Sequence, residues 1–116
     1  MKYVDGFVLV VPRKNLNAYV RMARAGGKIW REHGALDFKE CVGDDLHAKW
    51  GIPFPRLAKS RRGEAVLFSF IVYKSRAHRD RVNAAVMKDP RLANMTNMPF
   101  DAKRMAYGGF KVLVDA

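Results

Sequence analysis

A single cysteine, Cys41, stands in the 116 residues, so no disulfide can form within the chain, and a reducing compartment is the expected setting. Long hydrophobic runs are also missing. Val66–Tyr73 and Phe7–Val11 are the longest, far short of the roughly 20 apolar residues of a membrane helix, so no membrane partner is expected. The opening Met1-Lys2-Tyr3-Val4-Asp5 has no apolar core followed by a small-residue cleavage site, which predicts a cytoplasmic protein without a signal peptide. No cluster of His, Cys, Asp or Glu has the spacing of a metal motif, so neither a metal nor any other cofactor is implied. Low-complexity segments are absent, and nothing repeats beyond two βαβ halves; residues 1–116 read as one domain.

Acidic residues are scarce: 11 Asp+Glu against 22 Lys+Arg give a net charge of +11. Such a surface attracts nucleic acid, anionic lipid or small anions, although charge also serves solubility alone.

What is present is ordered by Val66–Tyr73, which reads Val-Leu-Phe-Ser-Phe-Ile-Val-Tyr. It is short, β-branched and aromatic, and closed by Lys74-Ser75, the pattern of a central strand. Alternation sends Val66, Phe68, Phe70 and Val72 to one side and Leu67, Ile71 and Tyr73 to the other, with Ser69 the one polar residue. Both faces therefore need a cover.

Tyr3–Val11 predicts a first strand, with Tyr3, Phe7, Leu9 and Val11 on one face and Val4, Val8 and Val10 on the other. Asn15 is the expected cap of a helix running to about Arg31–His33. Its buried stripe comprises Leu16, Tyr19 or Val20, Ala23, Gly27 and Trp30. Gly26-Gly27 would cost roughly 1 kcal/mol per glycine, which a close helix–sheet contact or a local kink would explain. Gly34 ends the helix. Ala35–Val42 is the second strand, and residues 44–63 form a polar connection long enough to be a functional flap. Ser75 caps a second helix with His78, Val82, Ala85 and Val86 on its inner stripe. Asp89-Pro90 closes that helix and opens a short one through Met95, and Arg104–Val114 supplies the last strand. The order β-α-β-β-α-β is that of an α+β, ferredoxin-like unit: a four-stranded antiparallel sheet with two helices on one face.

That leaves Val66, Phe68, Phe70 and Val72 on the open face. Leaving all four wet would forfeit about 6–12 kcal/mol as an upper estimate. A second copy of the chain, sheet on sheet, would cover them. So would nucleic acid: RNA-recognition modules share this topology, and Phe68, Phe70, Ile71 and Tyr73 fall in the aromatic and apolar slots of their third-strand motif. The basic-glycine opening of that motif is replaced by Val66-Leu67.

Several distinctive runs carry a family resemblance. They are Tyr3-Val4-Asp5-Gly6-Phe7, Trp30-Arg31-Glu32-His33-Gly34-Ala35-Leu36 and Glu40-Cys41-Val42-Gly43-Asp44-Asp45. Further along come Tyr73-Lys74-Ser75-Arg76-Ala77-His78-Arg79-Asp80, Asp89-Pro90-Arg91, Pro99-Phe100-Asp101-Ala102-Lys103-Arg104-Met105 and Tyr107-Gly108-Gly109-Phe110. With these the chain resembles the YbaA-like domain-of-unknown-function family of small bacterial proteins. It departs between Leu46 and Arg62, where His47, Trp50 and the basic cluster stand apart. The resemblance implies a dimeric α/β barrel, the architecture of small monooxygenases, muconolactone isomerases and dye- or haem-handling proteins, and favours a homodimer through Val66, Phe68, Phe70 and Val72. It implies no reaction.

The topology sets His33, His78, Glu32 and Tyr73 at one end of the sheet. At the other it sets Asp44, Asp45, His47, Asp101, Arg104 and the Pro12-Arg13-Lys14 corner. A histidine and a carboxylate at the first end would suit acid–base work, making His33 and His78 the candidate catalytic residues. The plainer alternative has His33 as a helix C-terminal cation and His78 as a packed side chain. Asp101 beside Lys103 and Arg104 reads as a surface ion pair. Phe7, Trp30, Tyr107 and Phe110, with Phe70 and Arg104, are the candidate lining of a small-molecule cleft between helices and sheet, the alternative being ordinary core. Cys41 reads as buried and inert.

Three functions follow. The first is a cytosolic homodimer with a binding or enzymatic cleft. The second is a basic RNA- or DNA-binding module, and the third a non-catalytic accessory dimer.

Overall fold

A computed structural model describes residues 1–116. The first strand, β1, spans Tyr3–Pro12 and enters helix α1, Leu16–Glu32, through a 3-10 turn at Arg13–Asn15. Strand β2 is Asp37–Val42, helix α2 is Phe54–Ala58, and β3 is Glu64–Tyr73. Helix α3, Arg76–Met87, leads to the single turn α4, Pro90–Ala93, and the last strand is β4, Ala106–Lys111. The strands form one antiparallel sheet in the order β2-β3-β1-β4.

Register follows the alternation in the sequence. Tyr3 pairs with Tyr73, Leu9 with Leu67 and Val11 with Ala65, so the odd positions of β1 and β3 share the face that α1 and α3 cover. Two clusters fill the space beneath the helices. One joins Tyr3, Ile29, Ala35, Ile71, Tyr73, Val82 and Val86; the other joins Leu9, Val11, Tyr19, Ala23, Ala65 and Leu67.

The helix ends have identifiable chemistry. Ser75 Oγ accepts the His78 N–H and Asp89 accepts the Arg91 N–H, each supplying an orphan donor with a partner. Asn15 does not cap α1; its Nδ2 donates to the Pro99 carbonyl at 3.1 Å and ties the helix start to the segment before β4. Gly34 takes φ +116° just past α1, a backbone conformation that favours glycine. The inner stripe of α1 is Tyr19, Ala23, Gly26, Gly27 and Ile29, while Val20 is exposed.

The 44–63 connection is no free flap. It carries α2, entered through Pro53 and Pro55, on the face opposite α1 and α3. Phe54 meets Phe68 edge-on with ring centroids 6.3 Å apart, and α2 packs against β1 and β3. Val66 is 6% exposed within the single chain, which corrects its assignment to a surface between two copies. The expectation of helices on one face alone is corrected with it. Phe68 and Phe110 remain open on this face, 45% and 61% exposed, with Phe70 and Val72 half-buried. Cys41 pairs with Phe68 across β2 and β3 and is exposed, not buried, because β2 is an edge strand. No helix is long and apolar enough to cross a membrane.

Candidate functional site

The helix-covered face of the sheet carries residues that strand alternation would reserve for apolar side chains. Asp5 lies on the same face as Tyr3, Phe7 and Leu9, pairs with Ile71 and Gly109, and is 1% exposed. Ser69, directly across from Phe7 and Glu40, is the second buried polar group there.

Burying a carboxylate requires partners. Arg79 on the first turn of α3 is the counter-charge, its Nη1 3.8 Å from Asp5 Oδ1. Arg79 Nη2 donates to Tyr3 Oη at 3.2 Å and Nη1 to Tyr107 Oη at 3.4 Å, with the guanidinium carbon 5.0 Å above the Tyr3 ring. Asn83, one helical turn further along α3, has its amide orientation fixed from both sides. Its Oδ1 accepts from Trp30 Nε1 at 3.0 Å and Tyr73 Oη at 3.2 Å, which turns Nδ2 toward Asp5 Oδ2 at 3.4 Å. One carboxylate oxygen is thus engaged. The other, Oδ1, is buried without a hydrogen bond.

The electrostatics match this placement. Desolvation, and then the nearby Asp5 charge, push the Tyr73 and Tyr107 hydroxyls upward, so both stay protonated donors at neutral pH. For Arg79, desolvation works against the charge, but Asp5 and the Tyr3 hydrogen bond outweigh it and raise its pKa.

Above this floor lies a cavity of about 370 Å³. Sheet residues Asp5, Phe7, Ser69, Ile71 and Tyr107 form its base, and Tyr19, Met22, Gly26 and Trp30 of α1 form one wall. Met87, Met95, Met98 and Met105 close the other side, so five of the six methionines line it. Phe7 and Tyr107 stack at 4.9 Å between centroids, which gives the base a flat aromatic step. At the β2 edge Tyr19 Oη donates to Glu40 Oε1 at 2.7 Å. Glu40 as a residue is exposed on the edge strand, yet its carboxylate turns inward under Tyr19. Desolvation there raises its pKa against the lowering effect of hydrogen bonds from Tyr19 and Ser69.

Of the lining expected from sequence, Phe7, Trp30 and Tyr107 do meet at this cavity. Phe110 and Phe70 do not: their register with Val4 and Gly6 puts them on the opposite face. Arg104 is held elsewhere, with Nη1 2.6 Å from Glu64 Oε2 and Nη2 2.9 Å from Glu64 Oε1. Neither histidine lines the cavity. His33 Nε2 meets Asp89 Oδ2 at 2.8 Å, in a network where Arg91 bridges Asp89 and Glu32 and locks the end of α1 to α4. Arg91 and then His33 hold the Asp89 carboxyl well below the usual range. His78 Nδ1 accepts the Lys74 N–H at 2.9 Å, a local bond at the start of α3. Desolvation and the neighbouring Lys74 and Arg81 lower its pKa. Asp101 accepts from Lys103 N at 3.0 Å as a turn cap. No group of three His, Cys, Asp or Glu side chains converges as a metal site would require.

Sequence reasoning passed over Asp5, Asn83 and the methionines. The signal for Asp5 was an acid at a core-facing position of an apolar strand. For the methionines it was their density in the last third of the chain.

The architecture defines an α+β protein with a four-stranded antiparallel sheet and a cavity on one face. The chain belongs to the family described as "Protein of unknown function (DUF1428)", whose model matches residues 2–102. It is similar to "Uncharacterized protein YbaA" of Escherichia coli (strain K12), 42% identical over 116 residues that cover 99% of each chain. The protein of the same name from Shigella flexneri shows the same identity and coverage. Among solved structures, "De novo designed protein Foldit4" covers 97% of this chain and 99% of its own at 8% identity, with a TM-score of 0.47.

Proposed function

We infer that this chain is a homodimeric binding protein of ferredoxin-like βαββαβ topology, acting in the cytosol on a small, largely apolar molecule. The observation that carries the reading is the methionine- and aromatic-lined cavity of about 370 Å³ with a buried acid in its base. Small-molecule sites take this form: a mostly apolar concavity of roughly 300–1,000 Å³ with few polar groups. Methionine suits it, because an unbranched thioether repacks around different shapes. Any catalytic step falls to Asp5 and the tyrosine hydroxyls around it rather than to His33 or His78, which are engaged outside the cavity. The dimer part rests on Phe68 and Phe110, aromatic side chains open on the sheet face that α2 leaves uncovered. The lone exposed Cys41 on that face suits a reducing compartment.

The test uses N-phenyl-1-naphthylamine, a neutral fluorophore that brightens on leaving water. Saturable brightening at one site per chain is expected, with loss of binding in Gly26→Leu, whose side chain grows into the cavity wall. Unsaturable or absent brightening would sink the reading.

A nucleic-acid role has one observation of its own, the two open aromatics on a protein of net charge +11. It requires retention on single-stranded RNA that falls steeply with salt and weakens in Phe68→Ala. An accessory dimer without a ligand would dimerise and leave the fluorophore dark.

A further inference from the structure

The unengaged oxygen of Asp5 says what kind of polar group the ligand carries, an inference that rests on the cavity being a binding site. Three facts combine. Asp5 Oδ1 is buried in the cavity base and accepts no hydrogen bond, which is rare for a carboxylate oxygen inside a protein. Of its neighbours, Asn83 Nδ2 faces Oδ2, Tyr73 Oη donates to Asn83, Tyr107 Oη accepts from Arg79 Nη1, and the nearest arginine nitrogen stands 3.8 Å off, beyond hydrogen-bond length. The Tyr73 and Tyr107 hydroxyls beside the carboxylate are the protein donors with which a ligand would compete. The rest of the lining is methionine, aromatic and aliphatic, with Ser69 and Glu40 at its margin.

We propose that the cavity takes a neutral amphipathic molecule whose hydroxyl or N–H donates to Asp5 Oδ1 while its apolar body lies against Phe7, Trp30 and the methionines. The overall charge of +11 would suggest an anionic ligand, but most of the lysines and arginines that carry it are exposed on the surface. At the cavity base Arg79 faces two carboxylates, Asp5 at 3.8 Å from Nη1 and Asp80 at 3.2 Å from Nε, so its charge is matched and an entering carboxylate would meet the Asp5 charge first. A donor on the ligand completes the shell of an ion that the fold leaves short by one bond. A ligand lacking it leaves that oxygen without a partner.

The matched probes are 2-naphthol, 2-methoxynaphthalene and 2-naphthoate, which share one apolar body and differ in the polar group. Binding is read from Trp30 fluorescence in a Trp50→Phe background, since Trp50 is 86% exposed and is not part of the cavity lining. The naphthol is expected to bind about tenfold or more tightly than its methyl ether, as a hydrogen bond to a charged group in a buried site requires, and the naphthoate most weakly. In Asp5→Leu/Arg79→Met, which removes both charges together, the naphthol preference should fall to less than about twofold. Equal binding of naphthol and ether to the parent protein overturns the donor inference and leaves the cavity reading standing. Tightest binding of naphthoate overturns it in favour of an anion site at Arg79. Binding of none of the three overturns the cavity reading itself. The comparison of probes on the parent protein decides the matter even where the double variant does not fold.

Discussion

Gly27 of α1 lies so close to the ring of Phe38 on β2 that a Cβ on Gly27 would stand 2.8 Å from Phe38 Cδ1. The neighbouring Gly26 has no such constraint: its nearest neighbour would be Trp30, 4.0 Å away. Two adjacent glycines in one helix therefore have opposite reasons for being there. Gly27 lets the helix approach the edge strand, and Gly26 leaves volume to the cavity.

Gly27→Ala should destabilise by about 1–3 kcal/mol, because the added methyl must displace the Phe38 ring. Gly26→Ala should stabilise by about 0.4–1 kcal/mol, since a helix-interior glycine gives up excess unfolded-state entropy where space allows. Urea unfolding of the two variants checks the contrast. Equal effects of the same sign would remove the close-contact explanation.

The Asp5–Arg79 pair predicts a marked asymmetry between single and double variants. Arg79→Met strands the Asp5 carboxylate in the core and should cost about 3–5 kcal/mol. Asp5→Leu/Arg79→Met removes both charges and should lie within about 2 kcal/mol of the parent, the residue being lost bonds to Asn83, Tyr3 and Tyr107. A denaturation cycle over the two single variants and the double gives the coupling directly.

Glu64 and Arg104 should make stability depend on acid. The twin hydrogen bonds from Arg104, with the Arg61 N–H, hold the Glu64 carboxyl down at about 2, against an ordinary 4.5. A depressed folded-state pKa stabilises fully above the unfolded value and is lost as pH falls toward the folded one. Parent and Arg104→Met should therefore differ most above about pH 5, and the gap should close between pH 4.5 and about 2. A gap in urea midpoint that does not narrow over that range would contradict the pairing.

On the open sheet face, Phe110→Asp should convert a dimer to a monomer in light scattering with little change in the melting of the monomer fold, because that side chain is 61% exposed. Phe70→Asp should also break the dimer but cost fold stability as well, since Phe70 is half-buried. A monomeric parent protein in the same measurement would remove the dimer from the proposed function.

The strands and their faces were legible in the residues because a strand repeats every two positions, and apolar alternation in Tyr3–Val11 and Val66–Tyr73 is local information. Ser75, Asp89-Pro90 and Gly34 marked helix ends for the same reason: their effect reaches only a few residues. The α2 turn was not legible, since five residues opened by prolines carry too little periodicity to announce a helix, and its position depends on the distant contact of Phe54 with Phe68.

By itself the sequence determined the order of elements, the two-faced sheet and the need for a cover on each side. Only the tertiary structure decided which residues meet. Asp5 and Asn83 are 78 residues apart, and nothing local brings the first strand of the chain to its third helix. Phe110 and Tyr107 stand three positions apart in one strand and yet face opposite ways, one toward the open face and one into the cavity. A buried carboxylate with one bare oxygen is likewise a property of the packed state, because in the unfolded chain water satisfies both oxygens.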